Sequence, residues 1–251
     1  MNDFERIAFK HGLTMKPMGK THAEAVSALG GAHTGGVCGA LTILYLSRYV
    51  VRLKKGDDLF NDHTFGQLLL QEAKGNKTLT GLIRQLQNAE DARAQLFERV
   101  GAAAKSMTPL NAHNAYSEMW DGVGFGNLVS SALKSLGATG LTLQGTDFSG
   151  FAATDGAAFG NIAAYVSANH GLHFIKLPNH IVGAVVHLDF AAPKVKLKFL
   201  DVNYGQAITS DPAKFKLFLA EYFKSTTVSG GFLTSGYNEK GQKAGVVHFT
   251  F

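Results

Sequence analysis

The chain carries a single cysteine, Cys38, and its chemistry depends on what stands around it. Cys38 follows the Gly-rich run Gly30-Gly31-Ala32-His33-Thr34-Gly35-Gly36 and opens an apolar stretch that reads as a helix from about Val37 to Leu53. The first turn of a helix offers unpaired N–H groups and the positive end of the helix dipole, a setting that favours an anionic thiolate. The loop glycines let another backbone approach closely. A lone cysteine is otherwise a small buried hydrophobe, so nucleophilic chemistry requires a base and an acid beside it.

His180 and Asp201 are the candidates. The runs Ile181–Phe190 and Val195–Leu200 read as strands joined through Ala191-Ala192-Pro193, a connection short enough for an antiparallel hairpin. Along the second strand Val195, Leu197 and Phe199 alternate with Lys194, Lys196 and Lys198. The apolar set is expected to face the core and the lysines to face water. Asp201 continues the apolar face, and Val182, Ala184, Val186 and Leu188 share the face of His180. Any even loop length puts His180 and Asp201 on one side of the sheet. A two-residue loop sets them opposite each other. A four-residue loop pairs His180 with Asn203 and leaves Asp201 as its diagonal neighbour. A carboxylate on an apolar face is costly unless paired, and the imidazole is a suitable partner. A structural His–Asp pair and a packed core cysteine are the competing reading. In the chemical reading Cys38 attacks an acyl carbon, His180 moves the proton, and Asp201 fixes the tautomer and direction of the ring. The Cys38 N–H is the natural oxyanion donor, and the side chain of His33 or Thr34 is the candidate second donor, His33 having the longer reach.

These residues need a scaffold. Further helices are expected at 62–74, 78–106, 124–136, 155–168 and Pro212–Lys224. Strands are expected at Leu172–Leu177, Thr227–Thr234 and Val246–Phe251. Helices first and strands later give an α+β class with one domain over 31–251, residues 1–30 being an N-terminal extension of it.

Three blocks add a resemblance. Gly36-Val37-Cys38-Gly39-Ala40-Leu41, His180-Ile181-Val182 and Phe199-Leu200-Asp201-Val202-Asn203-Tyr204-Gly205 resemble the signature blocks of the YopT-type cysteine proteases, papain-like bacterial virulence effectors. The Asp block matches best, and the Phe215–Phe223 helix after it is also similar. The resemblance implies a papain-like fold, with the nucleophile helix on a C-terminal antiparallel sheet. It implies a Cys38-His180-Asp201 thiol protease that needs no cofactor or metal and acts on proteins of a target cell. It further implies synthesis in a bacterial cytoplasm and delivery without a cleavable signal peptide. The family's side-chain amide upstream of the cysteine is absent, Ala32 and His33 standing there. Related members of the superfamily use the same triad for fatty acyl transfer, and a catalytically inactive binding module on the same scaffold is the third alternative.

The totals agree with a folded globular protein: 251 residues, 45% apolar, 17% charged, mean hydropathy +0.02. The net charge of +5 is diffuse, with no Lys/Arg stripe to suggest a nucleic-acid partner. One cysteine excludes an intrachain disulfide. No apolar run reaches the roughly 18 residues of a membrane span. Met1–Lys20 is polar, without a signal-peptide stretch, and Asn2 excludes N-myristoylation of the intact chain. Gly122-Val123-Gly124-Phe125-Gly126-Asn127 lacks the preceding strand of a dinucleotide loop and reads as a turn before a helix. Gly19-Lys20-Thr21 lacks the spacing of a phosphate loop, and no Gly-x-Ser-x-Gly elbow occurs. His170 and His173 have no acidic or Cys companions and read as surface histidines rather than metal ligands.

Overall fold

The computed structural model describes residues 1–17, 38–54, 88, 122–147, 156–177, 180–189, 194–225 and 245–251. The helices expected at 62–74 and 78–106, the strand Thr227–Thr234, and His33 and Thr34 lie outside them. The described elements are α1 (Asp3–Lys10), β1 (Thr14–Pro17), α2 (Cys38–Lys54), α3 (Gly122–Ser135), β2 (Thr142–Asp147), α4 (Gly156–Ala168), β3 (Gly171–Leu177), β4 (His180–Asp189), β5 (Lys194–Asp201), β6 (Gly205–Thr209), α5 (Pro212–Lys224) and β7 (Gly245–Thr250). The chain is α+β. The strands form one antiparallel sheet in the order β1-β6-β5-β4-β3-β7-β2.

Local chemistry explains the helix ends. Asn2 and Glu5 form a capping box on α1, each side chain accepting from the other's backbone N–H at 2.8 and 3.1 Å. Asp211 caps α5, accepting from the Ala213 and Lys214 N–H groups, and Pro212 occupies the first helical position. The Gly-rich segment expected to turn before α3 is part of it, because the helix already begins at Gly122.

Helices cover both faces of the sheet. On one face α2 and α3 pack on Leu172, Phe174, Ile181, Val185, Leu200, Val202, Val247 and Phe249. On the other, α1, α4 and α5 pack on Ile175, Leu177, Val182, Ala184, Val186, Leu197, Phe199 and Ala207. Two-sided burial overturns the expectation of a solvated lysine face on β5. Lys198 is 2% exposed and its ammonium lies 5.5 Å from the centre of the Tyr49 ring on α2, while Lys196 is half-buried. Strict alternation marks two faces, but it does not say that either is wet.

The second core is aromatic. Phe4 of α1 meets Phe199, Tyr204, Phe218 and Tyr222 at centroid distances of 5.3–6.0 Å, so the N-terminal helix belongs to the centre of this layer. In the first core the critical contact is the approach of α2 to β4. A Cβ on Gly183 would lie 2.9 Å from Thr42 Cγ2 and 3.1 Å from Leu46 Cδ1. Gly183→Val should therefore push α2 off the sheet and lower stability by about 3 kcal/mol. A urea midpoint equal to that of the unsubstituted chain would refute this account of the α2–β4 contact.

A candidate active site at the end of the sheet

Strands β4 and β5 are separated by four residues, and their register sets Asp189 opposite Lys194 and Gly183 opposite Leu200. This is the even-loop case. Carried one residue further, the register places Asp201 across from Val182, on the face that His180 shares. His180 opens β4 and Asp201 closes β5, so both sit at the same end of the sheet.

Beyond Asp201 the chain reverses at once. The Tyr204 N–H donates to the Asp201 carbonyl at 3.0 Å, and Gly205 takes φ +143°, with Lys16 O only 2.5 Å from where a Cβ would stand. A side chain there would collide with β1, which explains the glycine that ends the Asp block.

The Asp201 carboxylate is fully buried. Its Oδ1 accepts from His180 Nε2 at 2.9 Å and from the Asn203 N–H at 2.9 Å, and its Oδ2 accepts from the Tyr222 hydroxyl at 2.5 Å. Three donors converge on one buried charge, which is the condition under which such a charge is tolerated. With Nε2 donating to the carboxylate, Nδ1 is the ring nitrogen left for the thiol, and Cys38 lies within hydrogen-bonding reach of the imidazole. Burial is the strongest influence on His180 and opposes its charged form. The Asp201 carboxylate, followed by Cys38, outweighs it and raises the imidazole to about 10.

The three residues come from three different settings. Cys38 begins α2 and belongs to the first core, whereas Asp201 and Tyr222 belong with the second. His180, at the first position of its strand, bridges the two layers around the end of the sheet.

Two histidine expectations change. His173 is fully buried, not at the surface, with its ring stacked 4.4 Å from that of His248. His173 Nε2–H donates to Asn169 O at 2.8 Å, and Nδ1 has no hydrogen-bond partner. His170 is half-buried, its Nδ1 accepting from the Leu188 N–H. These rings pack among Tyr165 and Phe251, and among the described residues no group of three or more His, Cys, Asp or Glu is arranged to hold a metal ion. His187, half-buried, faces the His170 and Phe251 rings.

Sequence reasoning missed Tyr222. Phe215, Phe218, Leu219, Tyr222 and Phe223 follow helical spacing and read as a core stripe, but only one of them bears a hydroxyl, and a buried phenol needs an acceptor. That need was the available signal.

No family model matches the chain, and no curated protein matches it by sequence. Among solved structures the chain is similar to the crystal structure of the Pseudomonas avirulence protein AvrPphB, with a TM-score of 0.42 and 12% identity over 85% of this chain and 90% of that one.

Proposed function

We propose that this protein is a papain-like thiol hydrolase, a cysteine peptidase with Cys38 as nucleophile, His180 as acid–base and Asp201 as the group that holds the ring. One observation carries the reading: His180 is tied through Nε2 to a buried carboxylate while Cys38 lies within reach of the same ring. In this scheme the Cys38 thiol gives its proton to His180 Nδ1 and Sγ attacks the acyl carbon. The imidazolium then protonates the departing amine. Water, deprotonated by Nδ1, resolves the thioester, and Nε2–H stays on Asp201 throughout. The backbone N–H of Cys38 serves the oxyanion, with His33 as the proposed second donor.

The three-block resemblance to YopT-type effectors supports a role as a bacterial virulence protein that acts on proteins of a target cell and is delivered without a cleavable signal peptide. Among the described residues no helix is long and apolar enough to cross a membrane.

The test is alkylation of Cys38 by iodoacetamide as a function of pH. At pH 6 the rate should exceed that of an ordinary thiol by at least about tenfold. His180→Ala should remove the excess and His187→Ala should retain it. A profile following an ordinary thiol titration would defeat the hydrolase reading. Loss of the excess in His187→Ala alone would show that His187 is the working histidine.

A further inference from the structure

We infer that Tyr222 is a positioning residue of the site: its hydroxyl locks the free oxygen of Asp201, so that the other oxygen is presented to His180. The inference rests on the hydrolase reading for what the aligned imidazole is used for, and on the geometry around Asp201 for the rest.

The carboxylate has two oxygens with separate duties. Oδ1 receives His180 Nε2–H and the Asn203 N–H, and Oδ2 receives the Tyr222 O–H. The two contacts on Oδ1 come from a strand start and a tight turn, and both act on the same oxygen. The bond to Oδ2 adds a third anchor on the opposite side of the group, and it is a firm one because Tyr222 is held by its packing. Its ring is fully buried and packed by Phe4, Phe199, Phe218 and Phe223 at centroid distances of 5.3–5.9 Å. Burial and then the Asp201 charge hold the phenol well above its usual pKa, so it remains a donor throughout the working range. Helix α5 is packed in turn on α1 through Phe4, which meets Phe218 and Tyr222, and Lys10 and His11 both reach Glu221 at 2.7 Å, one residue before Tyr222.

Without the hydroxyl, Oδ2 would be a buried, unsatisfied anionic oxygen. The carboxyl group would turn toward another donor, and that response misaligns the oxygen presented to Nε2–H. The imidazolium would lose support.

Tyr222→Phe deletes only the oxygen and keeps the aromatic packing. The readout is the titration midpoint of His180, followed by NMR on the full chain labelled with ¹⁵N-histidine. We expect it to fall by about one pH unit, a tenfold loss in proton affinity of the ring, with the His180 Nε2–H exchanging faster with solvent. Phe218→Leu, which disturbs the ring stacked on Tyr222 but not the hydroxyl, should lower the urea midpoint and leave the His180 midpoint in place. An unmoved midpoint in Tyr222→Phe overturns the role. So does an equal shift in Phe218→Leu, which assigns the side chain to packing, or failure of Tyr222→Phe to fold, which assigns the hydroxyl to the stability of the core and not to alignment of the ring. Neither readout needs a substrate, and the His180 titration is repeated in Cys38→Ala, which removes the thiol's own influence on the ring. An ordinary alkylation profile at Cys38 would therefore sink the hydrolase reading, whereas a fixed His180 midpoint would sink this one.

Discussion

Cys38→Ala should abolish turnover and leave the fold standing. The side chain is 7% exposed and packs in the first core with the apolar residues of α2. Removing one sulfur from such a place costs about 1 kcal/mol, a small part of a typical domain's stability. The effect on chemistry is of a different order. Without a nucleophile no thioester forms, and loss of a group that acts as part of a unit lowers kcat by on the order of a millionfold. The assay is release of labelled peptides from a denatured protein mixture, run beside circular dichroism and urea unfolding of the same sample. Hydrolysis persisting in the Ala variant at more than a trace would remove Cys38 from the mechanism. Loss of hydrolysis together with loss of the folded signal would mean that the site had not been tested, and Cys38→Ser, closer in shape, would then take its place.

The second large effect concerns acid. His173, His248 and His170 are all held in the neutral form. Burial, followed by the neighbouring His248, pushes His173 down to about 3, and burial also lowers His170 and His248. Geometry gives the reason. His248 Nε2–H donates to His170 O at 2.8 Å, which leaves its Nδ1 to accept from the Tyr165 hydroxyl at 3.2 Å. A proton on His248 Nδ1 would force the Tyr165 hydroxyl to turn and accept, and one on His173 Nδ1 would face no acceptor while adding charge to a stacked pair. A histidine with a lowered folded-state pKa leaves the unfolded chain with more bound protons below about 6.5, so stability falls as pH drops through that value toward 3. His173 alone gives a slope of about 1.4 kcal/mol per pH unit. His180 acts in the opposite sense. Its raised pKa contributes stability that is complete below about 6.5 and is lost as pH rises toward 10. The two together place maximum stability near pH 6.5. Urea midpoints measured from pH 4 to 9 should trace that dome, and His173→Phe, which keeps a ring in the stack but binds no proton, should flatten its acid side. Equal midpoints at pH 7 and pH 5 would contradict the assignment.

Much of the candidate site's arrangement was legible because strand periodicity is rigid. Once β4 and β5 were read as a hairpin, only the parity of the loop stood between the sequence and the pairing of His180 with Asp201, and the loop has four residues. Helix α5 was legible from end to end, since Asp211 and Pro212 mark its start and the aromatic stripe its buried face. The short elements were not. Helix α1 has eight residues, too few for periodicity to speak, although Asn2 and Glu5 held the capping signal. Strand β1 has four residues and ends in Pro17, and β2 carries an irregularity between Leu143 and Gly145 that breaks the alternation. All three depend on partners far along the chain: α1 on α5, β1 on β6 and β2 on β7. The lysines of β5 misled for the related reason that a strand does not reveal whether a helix lies over it. Lys198 is covered by α2, whose Tyr49 ring receives the ammonium.

The bridging of two layers at the end of the sheet has a consequence for how the protein comes into being. Cys38 leaves the ribosome with the first part of the chain, while His180, Asp201 and Tyr222 are still unmade. His180, Asp201 and Tyr222 are joined by contacts spanning 21 residues each, whereas Cys38 stands on the distant α2, and bringing it to them closes a far longer loop at a greater entropic cost. A nascent or half-folded chain therefore holds its thiol apart from its base. On the proposed reading, the centre would be complete only when β4 and β5 have paired and α2 has docked on one face of the sheet and α5 on the other, so that the topology itself would delay the thiol's meeting with its base.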